Sequence, residues 1–485
     1  MKVVFVSSEM RPFASTGGLG DVGGALPFAL MGQGVDVMRV MPMYRRVLEG
    51  NLQCSDTHIR IQVPVGLRTL EAEIWRADEP GPATYFVRKD EFFDRRELYS
   101  LPERDYDDNF ERFVFFQKAV VGLLDTLHVQ ADIVHTNDWQ TALMPYFLEY
   151  GTQGIGREMH ERTVFTIHNL AYQGVFPSSV FPYSSLPYSC FSLEELEFYG
   201  NINCLKGAIK RCHQVTTVSE RYAKEILTPE FGSGLEGVLA ESQHKLTGIL
   251  NGVDYGEWDP RADILIAASY SADNMDGKLT CKRALLEGTK LRLKKGWEKR
   301  PVIGMVSRLV DQKGMDLLAN TMEAIMQEDI YFVMLGSGLE MYQELCLSWA
   351  KKWPERFAVQ IGYNNALAHQ IEAGSDIFMM PSKFEPCGLN QMYSLRYGTL
   401  PIVHATGGLD DTITNLDPSN NTGNGFKFTE YTGAALLSSL REAIARYRDT
   451  DIWYPARRRI MAEDFSWDRS AERYIKLYET TLAQS

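Results

Sequence analysis

Short apolar runs rich in β-branched residues alternate with helix-length stretches along the whole chain, and this alternation limits the folds open to it. KVVFVSS, VDVMRVM, ADIVHTN, RTVFTIHN, QVTTVS and KLTGILNGVD occupy the first half; PVIGMVSRL, IYFVMLGSG, FAVQIGY, DIFMMPS and LPIVHATGG occupy the second. Near-continuous apolar strands are buried on both faces, the environment of parallel strands covered by helices. The expected fold class is α/β, doubly wound. At 485 residues the chain exceeds what one core supports, so two or three domains are expected. The series of runs restarts after Asn251-Gly252-Val253-Asp254, beyond a polar stretch from Tyr255 to about Arg300. Residues 1–254 therefore read as one Rossmann-like domain and 255–466 as a second. The tail, 467–485, carries Tyr474, Leu477, Tyr478 and Leu482 on one helical face and can cross back onto the first domain.

Charge and cysteines narrow the partners. A formal net charge of -13 argues against a nucleic-acid binder, since phosphate contacts need a basic surface. An anionic ligand would need a local basic site. The seven cysteines (Cys54, Cys190, Cys204, Cys212, Cys281, Cys346, Cys387) are odd in number and include no CxxC pair, which disfavours a zinc cluster or disulfide scaffold and fits a reducing compartment. The apolar start, Val3 to Val6, is too short for a signal-peptide core, and no run reaches the roughly 18 apolar residues of a membrane span. The expectation is a cytoplasmic protein with no membrane partner, or a stromal one if a transit peptide has been removed.

In open parallel sheets ligands bind beyond the carboxyl ends of strands, and here those ends are polar. The loop Thr16-Gly17-Gly18-Leu19-Gly20-Asp21-Val22-Gly23-Gly24 leads into a helix, where backbone N–H groups and the helix start favour an anion or an oxygen-rich sugar. It contains G-x-G-x-x-G, yet about ten residues separate it from its strand and the next strand ends in Met41-Pro42-Met43, so a dinucleotide fingerprint fails on spacing. Arg308 and Lys313, five residues apart past a buried strand, can hold a diphosphate and stabilise the charge that grows on it as a sugar–oxygen bond breaks; a solvated loop is the plain alternative. Glu385, in Lys383-Phe384-Glu385-Pro386-Cys387-Gly388-Leu389, can accept from sugar hydroxyls while the Gly388 and Leu389 N–H groups take a phosphate, or it can cap a helix. The Thr406-Gly407-Gly408-Leu409 loop offers another backbone site. Tyr363 ends the run FAVQIGY, where it stacks on a nucleobase or simply packs. His168, Asp138 and Trp139 stand at strand ends too, with satisfied structural roles as their defaults. The long aromatic loop Leu170–Cys190 suits an acceptor-side wall.

These segments, taken in order, resemble the bacterial glycogen synthase and plant starch synthase family, retaining glucosyltransferases of the GT-B architecture. The likeness runs through SSEMRPF…TGGLGDVGGALP, HTNDWQTAL, TIHNLAYQG, LNGVD, GMVSRLVDQKG, IGYNNALAH, PSKFEPCGLNQMYSLRYGT and TGGLDDT. It implies two Rossmann-like domains facing across a cleft, and transfer of glucose from ADP-glucose, or UDP-glucose, to the non-reducing end of an α-1,4-glucan such as glycogen, starch or a malto-oligosaccharide. It implies no metal and no cofactor. His168, Arg308, Lys313 and Glu385 look like the reacting centre. Ser15, Gly17, Gly18, Asp21 and Asn251 look like donor-binding positions of the first domain. Tyr363, Cys387, Gly388, Leu389, Gly407 and Gly408 look like those of the second. Glu9, Asp138, Trp139, Asn169 and Tyr172 are similar to acceptor-side residues.

Two departures stand out. The family pattern has Lys-Thr-Gly-Gly-Leu where this chain has Ser15-Thr16-Gly17-Gly18-Leu19, which removes a cation from the donor loop; Arg11, four residues upstream, is the nearest replacement in sequence. Eight residues past Glu385, where the wider GT-B pattern places a second Glu, stands Tyr393. Ser15 leaves open a catalytically weakened glucan-binding paralogue of the same fold. The retained His168, Arg308, Lys313 and Glu385 weigh against it. A glucan phosphorylase would need a pyridoxal-phosphate lysine and a much longer chain.

Overall fold

The computed structural model describes residues 1–485 except 51, 79, 102–103, 153–160 and 485. The chain divides into two compact units, 1–252 with 467–485, and 253–466. In the first, the strands are β1 (Lys2–Val6), β2 (Asp36–Pro42), β3 (Cys54–Val65), β4 (Arg68–Ala77), β5 (Ala83–Arg88), β6 (Ile133–Asn137), β7 (Arg162–Ile167), β8 (Val175–Pro177), β9 (Glu197–Phe198), β10 (Asn201–Asn203), β11 (Gln214–Thr217) and β12 (Leu246–Gly248). Nine of them form one sheet in the order β12-β11-β7-β6-β1-β2-β5-β4-β3, and β8, β10 and β9 form a small separate one. From β12 to β5 every pairing is parallel. These six of the seven parallel strands coincide with the apolar runs of the first half, and their residues are almost wholly buried.

The edge differs from the doubly wound expectation. β3 and β4 pair antiparallel through the two-residue turn Gly66-Leu67, and β4 continues antiparallel onto β5. Gly66 has φ +59, as a tight hairpin turn requires. Their burial alternates along the strand, because one face meets the core and the other meets solvent, so no continuous apolar run marks them.

The C-terminal helix Trp467–Ala483 belongs to the first unit and packs against the helix Gly18–Gly32. Trp467, Ala471, Tyr474 and Tyr478 are buried in the first core, Leu477 packs partly against it, and Leu482 is exposed. The Tyr478 hydroxyl lies 2.7 Å from His135 Nδ1 in β6, whose Nε2 lies 2.6 Å from Thr166 Oγ1 in β7.

The second unit is a parallel six-stranded sheet, β15-β14-β13-β16-β17-β18, built from β13 (Val302–Leu309), β14 (Tyr331–Gly338), β15 (Phe357–Ile361), β16 (Ile377–Met380), β17 (Leu400–His404) and the short edge strand β18 (Phe426–Phe428). It has its own core. The polar stretch after Tyr255 contributes the helix Asp276–Gly288 and no strand.

Candidate active site

The first unit gathers its polar residues where β6 and β7 end side by side, with Asn137 opposite Thr166. The next residue, Asp138, has φ +56 and ψ 179, close to a region that side-chain-bearing residues avoid. Its N–H donates to the Thr166 carbonyl at 3.0 Å, and its Oδ1 accepts the His168 N–H at 2.8 Å. Burial raises its carboxyl to about 7, and Glu9 adds to the rise, while the backbone N–H groups of His168 and Asn169 oppose it. Such strain at a half-buried, hydrogen-bonded acid makes Asp138 a candidate for function.

His168 follows from the same register. The Val6 carbonyl can only accept, so Asn137 Nδ2 faces it at 3.1 Å and Asn137 Oδ1 faces His168 Nε2 at 2.9 Å. Nε2 therefore carries the proton and Nδ1 carries the lone pair. Burial lowers His168 to about 3, so the ring is neutral and offers an acceptor. Asn169 Oδ1 accepts from the Ala171 N–H at 3.1 Å, and Tyr172, three residues past Asn169, is exposed. Trp139 packs edge-on against Phe113 (5.0 Å, 81°) and tilted against Phe176 (5.4 Å), and is partly buried against the first core.

The glycine loop lies beside β1. Glu9 accepts from Thr16 N (2.5 Å), Thr16 Oγ1 (2.7 Å), Gly17 N (3.3 Å) and the Tyr99 hydroxyl (2.8 Å). Four donors occupy its two oxygens, so Glu9, expected on the acceptor side, holds the loop in shape. Gly17 and Gly18 are exposed at the start of the helix Gly18–Gly32. Asp21 in its first turn pairs with Arg11 at 2.8 Å, which ties down the cation nearest to Ser15 in sequence. The cation that reaches Ser15 in space is Arg46: its Nη1 donates to the Ser15 carbonyl at 3.0 Å and its Nη2 meets Glu97 at 2.9 Å. Asn251, at the end of this unit, is buried, and its Oδ1 has no hydrogen-bond partner among the described residues.

The second unit keeps its charges. Lys313 Nζ lies 2.5 Å from Glu385 Oε2, which also accepts from Ser382 Oγ at 3.0 Å. Arg308 at the end of β13 is exposed and donates to Gln312 Oε1 at 2.9 Å. Gln391 Nε2 clamps the following turn by donating to the carbonyls of Cys387 (3.1 Å) and Gly388 (3.0 Å). The N–H groups of Gly388 and Leu389 have no acceptor among the described residues. The Gly407-Gly408 loop lies directly beneath this turn: a methyl group on Gly407, at φ +44, would sit 1.9 Å from the Glu385 carbonyl oxygen. Gly408 N–H donates to the Glu385 and Pro386 carbonyls at 3.1 and 3.2 Å. That loop supports the Glu385 turn, so the Gly408 N–H expected to meet a ligand is already engaged. Tyr363 is 81% exposed, its hydroxyl 3.4 Å from Asn365 Oδ1, and its ring is therefore available for stacking instead of packing.

Sequence reasoning passed over Asn137, Ser382, Tyr99 and Arg46. Asn137 is a polar residue ending an apolar run, a signal that could have found it. Tyr99 lies in an irregular stretch and Arg46 in the short helix Arg45–Glu49, and neither carries such a marker. Among the described residues no group of three or more His, Cys, Asp or Glu is placed to hold a metal ion, and no helix is long and apolar enough to cross a membrane.

Residues 2–241 match the family described as the starch synthase catalytic domain, and residues 289–459 match glycosyl transferases group 1. The glycogen synthase of Koribacter versatilis is 47% identical over 481 residues, covering 99% of this chain and 98% of that one. This chain belongs to the glycogen and starch synthase family. The glycogen synthase of Moorella thermoacetica is 43% identical, with 99% and 97% covered. A solved starch synthase, the catalytic domain of starch synthase IV from Arabidopsis thaliana bound to ADP and acarbose, superposes with a TM-score of 0.91 at 31% identity, covering 99% of each chain. A sucrose-phosphate synthase from Thermosynechococcus elongatus, at 15% identity and a TM-score of 0.62, shares the fold alone. The synthase has the two-domain α/β glycosyltransferase fold of its family, and its function is glycogen or starch synthesis.

Proposed function

We propose that this synthase transfers glucose from ADP-glucose to the 4-hydroxyl at the non-reducing end of an α-1,4-glucan, with retention of configuration and without a metal ion. The observation that carries the reading is the Lys313–Glu385 pair beside Arg308 and the free Gly388 and Leu389 N–H groups, at the carboxyl ends of the second sheet. Two fixed cations and two backbone donors suit a diphosphate, and a carboxylate held by Lys313 and Ser382 suits sugar hydroxyls. The relative solved with ADP and acarbose carries the same two ligand classes, a nucleotide and an oligosaccharide.

In this reading the bond between glucose C1 and the diphosphate oxygen breaks, and its electron pair goes to the diphosphate. Arg308 and Lys313 stabilise that growing charge. A diphosphate oxygen takes the proton of the acceptor 4-hydroxyl, whose oxygen bonds C1 on the face just vacated. The stereochemistry is retained with no protein nucleophile. Positioning and electrostatics supply the rate, and the neutral His168 offers Nδ1 as an acceptor in the first unit. All seven cysteines are free thiols, which agrees with a reducing, cytoplasmic setting.

The test is nucleoside-diphosphate release from ADP-glucose and UDP-glucose, each with and without glycogen, in the presence and absence of EDTA. Glycogen-dependent release from ADP-glucose that EDTA leaves unchanged, with the new linkage α by NMR, is the expected result. Release from UDP-glucose alone overturns the donor assignment, and loss in EDTA overturns the metal-free mechanism. Glycogen binding without release from either donor returns the weakened paralogue.

A further inference from the structure

The stretch 242–288 lies between the two matched families, yet its residue Trp258 is the centre of a three-ring stack in the second unit. Its indole lies against His369 (centroids 3.8 Å apart, planes 12° apart) on one face and Tyr393 (4.0 Å, 3°) on the other. His369 belongs to the helix Asn365–Gly374 and Tyr393 to the helix Asn390–Arg396. Neighbours of Trp258 reinforce the link. Asp263 Oδ2 meets His369 Nδ1 at 2.8 Å and accepts from the Tyr397 hydroxyl at 2.6 Å, and Asp259 pairs with Arg396 at 2.6 Å.

Three titratable groups act on His369 directly. Asp263 and Glu257, whose Oε1 lies 3.9 Å from Nε2, come from the connecting segment, and Glu372 lies on its own helix. Tyr397, just past the second helix, donates to Asp263, and Tyr393 lies on the far face of the indole. Burial pulls the imidazole down, but Asp263 and Glu257 outweigh it and hold it at about 9. The ring stacked on Trp258 is thus an imidazolium, and a buried cation over an indole face is attracted beyond the area it buries.

Both helices begin at site residues. Tyr363 precedes the Asn364 cap of one, and the Glu385–Leu389 turn leads into the other. We propose that Trp258, stacked on His369 and Tyr393, is a positioning residue that fixes the Tyr363 ring relative to the Cys387–Leu389 turn, so that one nucleotide engages both. This explains what Tyr393 does where the wider GT-B pattern has an acid: it forms one face of the strut. The inference rests on the reading of these residues as the sugar-nucleotide site.

The test is steady-state kinetics of the full chain with the sugar nucleotide that the wild type turns over, together with ADP affinity by titration calorimetry. Trp258→Leu is expected to raise donor KM about tenfold and weaken ADP about equally, with kcat and glucan KM nearly unchanged. Trp258→Phe, which keeps a flat ring, restores donor KM to within about threefold. Wild-type tryptophan fluorescence should change with a midpoint near pH 9, and His369→Gln should abolish that change and raise donor KM severalfold. A folded Trp258→Leu protein with unchanged donor KM and ADP affinity overturns the proposal, as does an equal loss in kcat for all substrates. Should Trp258→Leu not fold, Trp258→Phe and His369→Gln decide the matter by the same split. A wild type that binds ADP but releases none from ADP-glucose removes the donor assignment, while the affinity comparison still judges the strut.

Discussion

The two units use the same architecture for opposite electrostatics. At the strand ends of the first, ionisable groups are shifted toward neutrality or covered: His168 is drawn down to about 3, Asp138 is pushed up to about 7, and Glu9 is surrounded by four donors. At the strand ends of the second, Arg308 is exposed, Lys313 and Glu385 form a close ion pair, and two backbone N–H groups are free. A neutral polyhydroxyl ligand is bound by directional acceptors and donors, and an anionic one by fixed cations. Under the proposed function this difference fits a glucosyl and acceptor role for the first unit's cluster and a diphosphate role for the second's.

The comparison breaks most sharply at Lys313. Lys313→Ala removes a cation from the diphosphate and leaves Glu385, 8% exposed at its side chain, without its ion-pair partner. The loss of about 3–4 kcal/mol of transition-state stabilisation expected for one such donor corresponds to a kcat lower by about 100- to 1,000-fold. A decrease under tenfold would mean the second unit's charges are not the electrostatic centre.

The next largest effect lies in the first unit, whose loop lacks the cation of the family pattern. Arg46 reaches only the Ser15 carbonyl and is shared with Glu97. Ser15→Lys should lower donor KM by roughly ten- to a hundredfold, the worth of one charge-assisted hydrogen bond. An unchanged KM would overturn the reading of this loop as a donor-binding element. Tyr363 tests the nucleotide end of the second unit. Stacking of a base on an aromatic ring is worth about 1–3 kcal/mol, so Tyr363→Ala should raise donor KM roughly tenfold. Tyr363→Phe should leave it unchanged, because the hydroxyl reaches only Asn365 on the adjoining helix.

How much of this was legible in the sequence follows from what each feature needs. Parallel strands buried on both faces leave continuous apolar runs, and all eleven runs became strands. The β3–β4 hairpin alternates, and β18 is three residues long, so neither leaves such a run. Lys313 and Glu385 announced themselves as charges next to buried strands. The clamp roles did not: that Glu9 would close on Thr16 and Tyr99, or that Gly408 would donate to the Glu385 carbonyl, depends on backbone paths that residue types do not encode. Trp258 was hidden for the same reason, in a polar stretch without periodicity, where its two stacking partners lie more than a hundred residues away in sequence.

The smallest effect expected is also the one that reports the first unit's neutrality most directly. Asp138 has a folded pKa near 7 against an ordinary value of 3.8. A carboxyl raised in this way favours the folded state when protonated. Its contribution is complete below about pH 4 and declines as pH rises through 7, because the unfolded chain releases the proton first. Asp138→Asn should therefore flatten the fall in the first unit's melting temperature between pH 4 and 7. Asp138→Gly should leave that temperature little changed, because relief of the φ +56, ψ 179 backbone, about 1–3 kcal/mol, is offset by the orphaned His168 N–H at about the same cost, while activity falls. Differential scanning calorimetry across that pH range checks both. If the wild type shows no decline that Asp138→Asn removes, Asp138 is ionised at pH 5–7, and the first unit then carries a charge at its centre much as the second does.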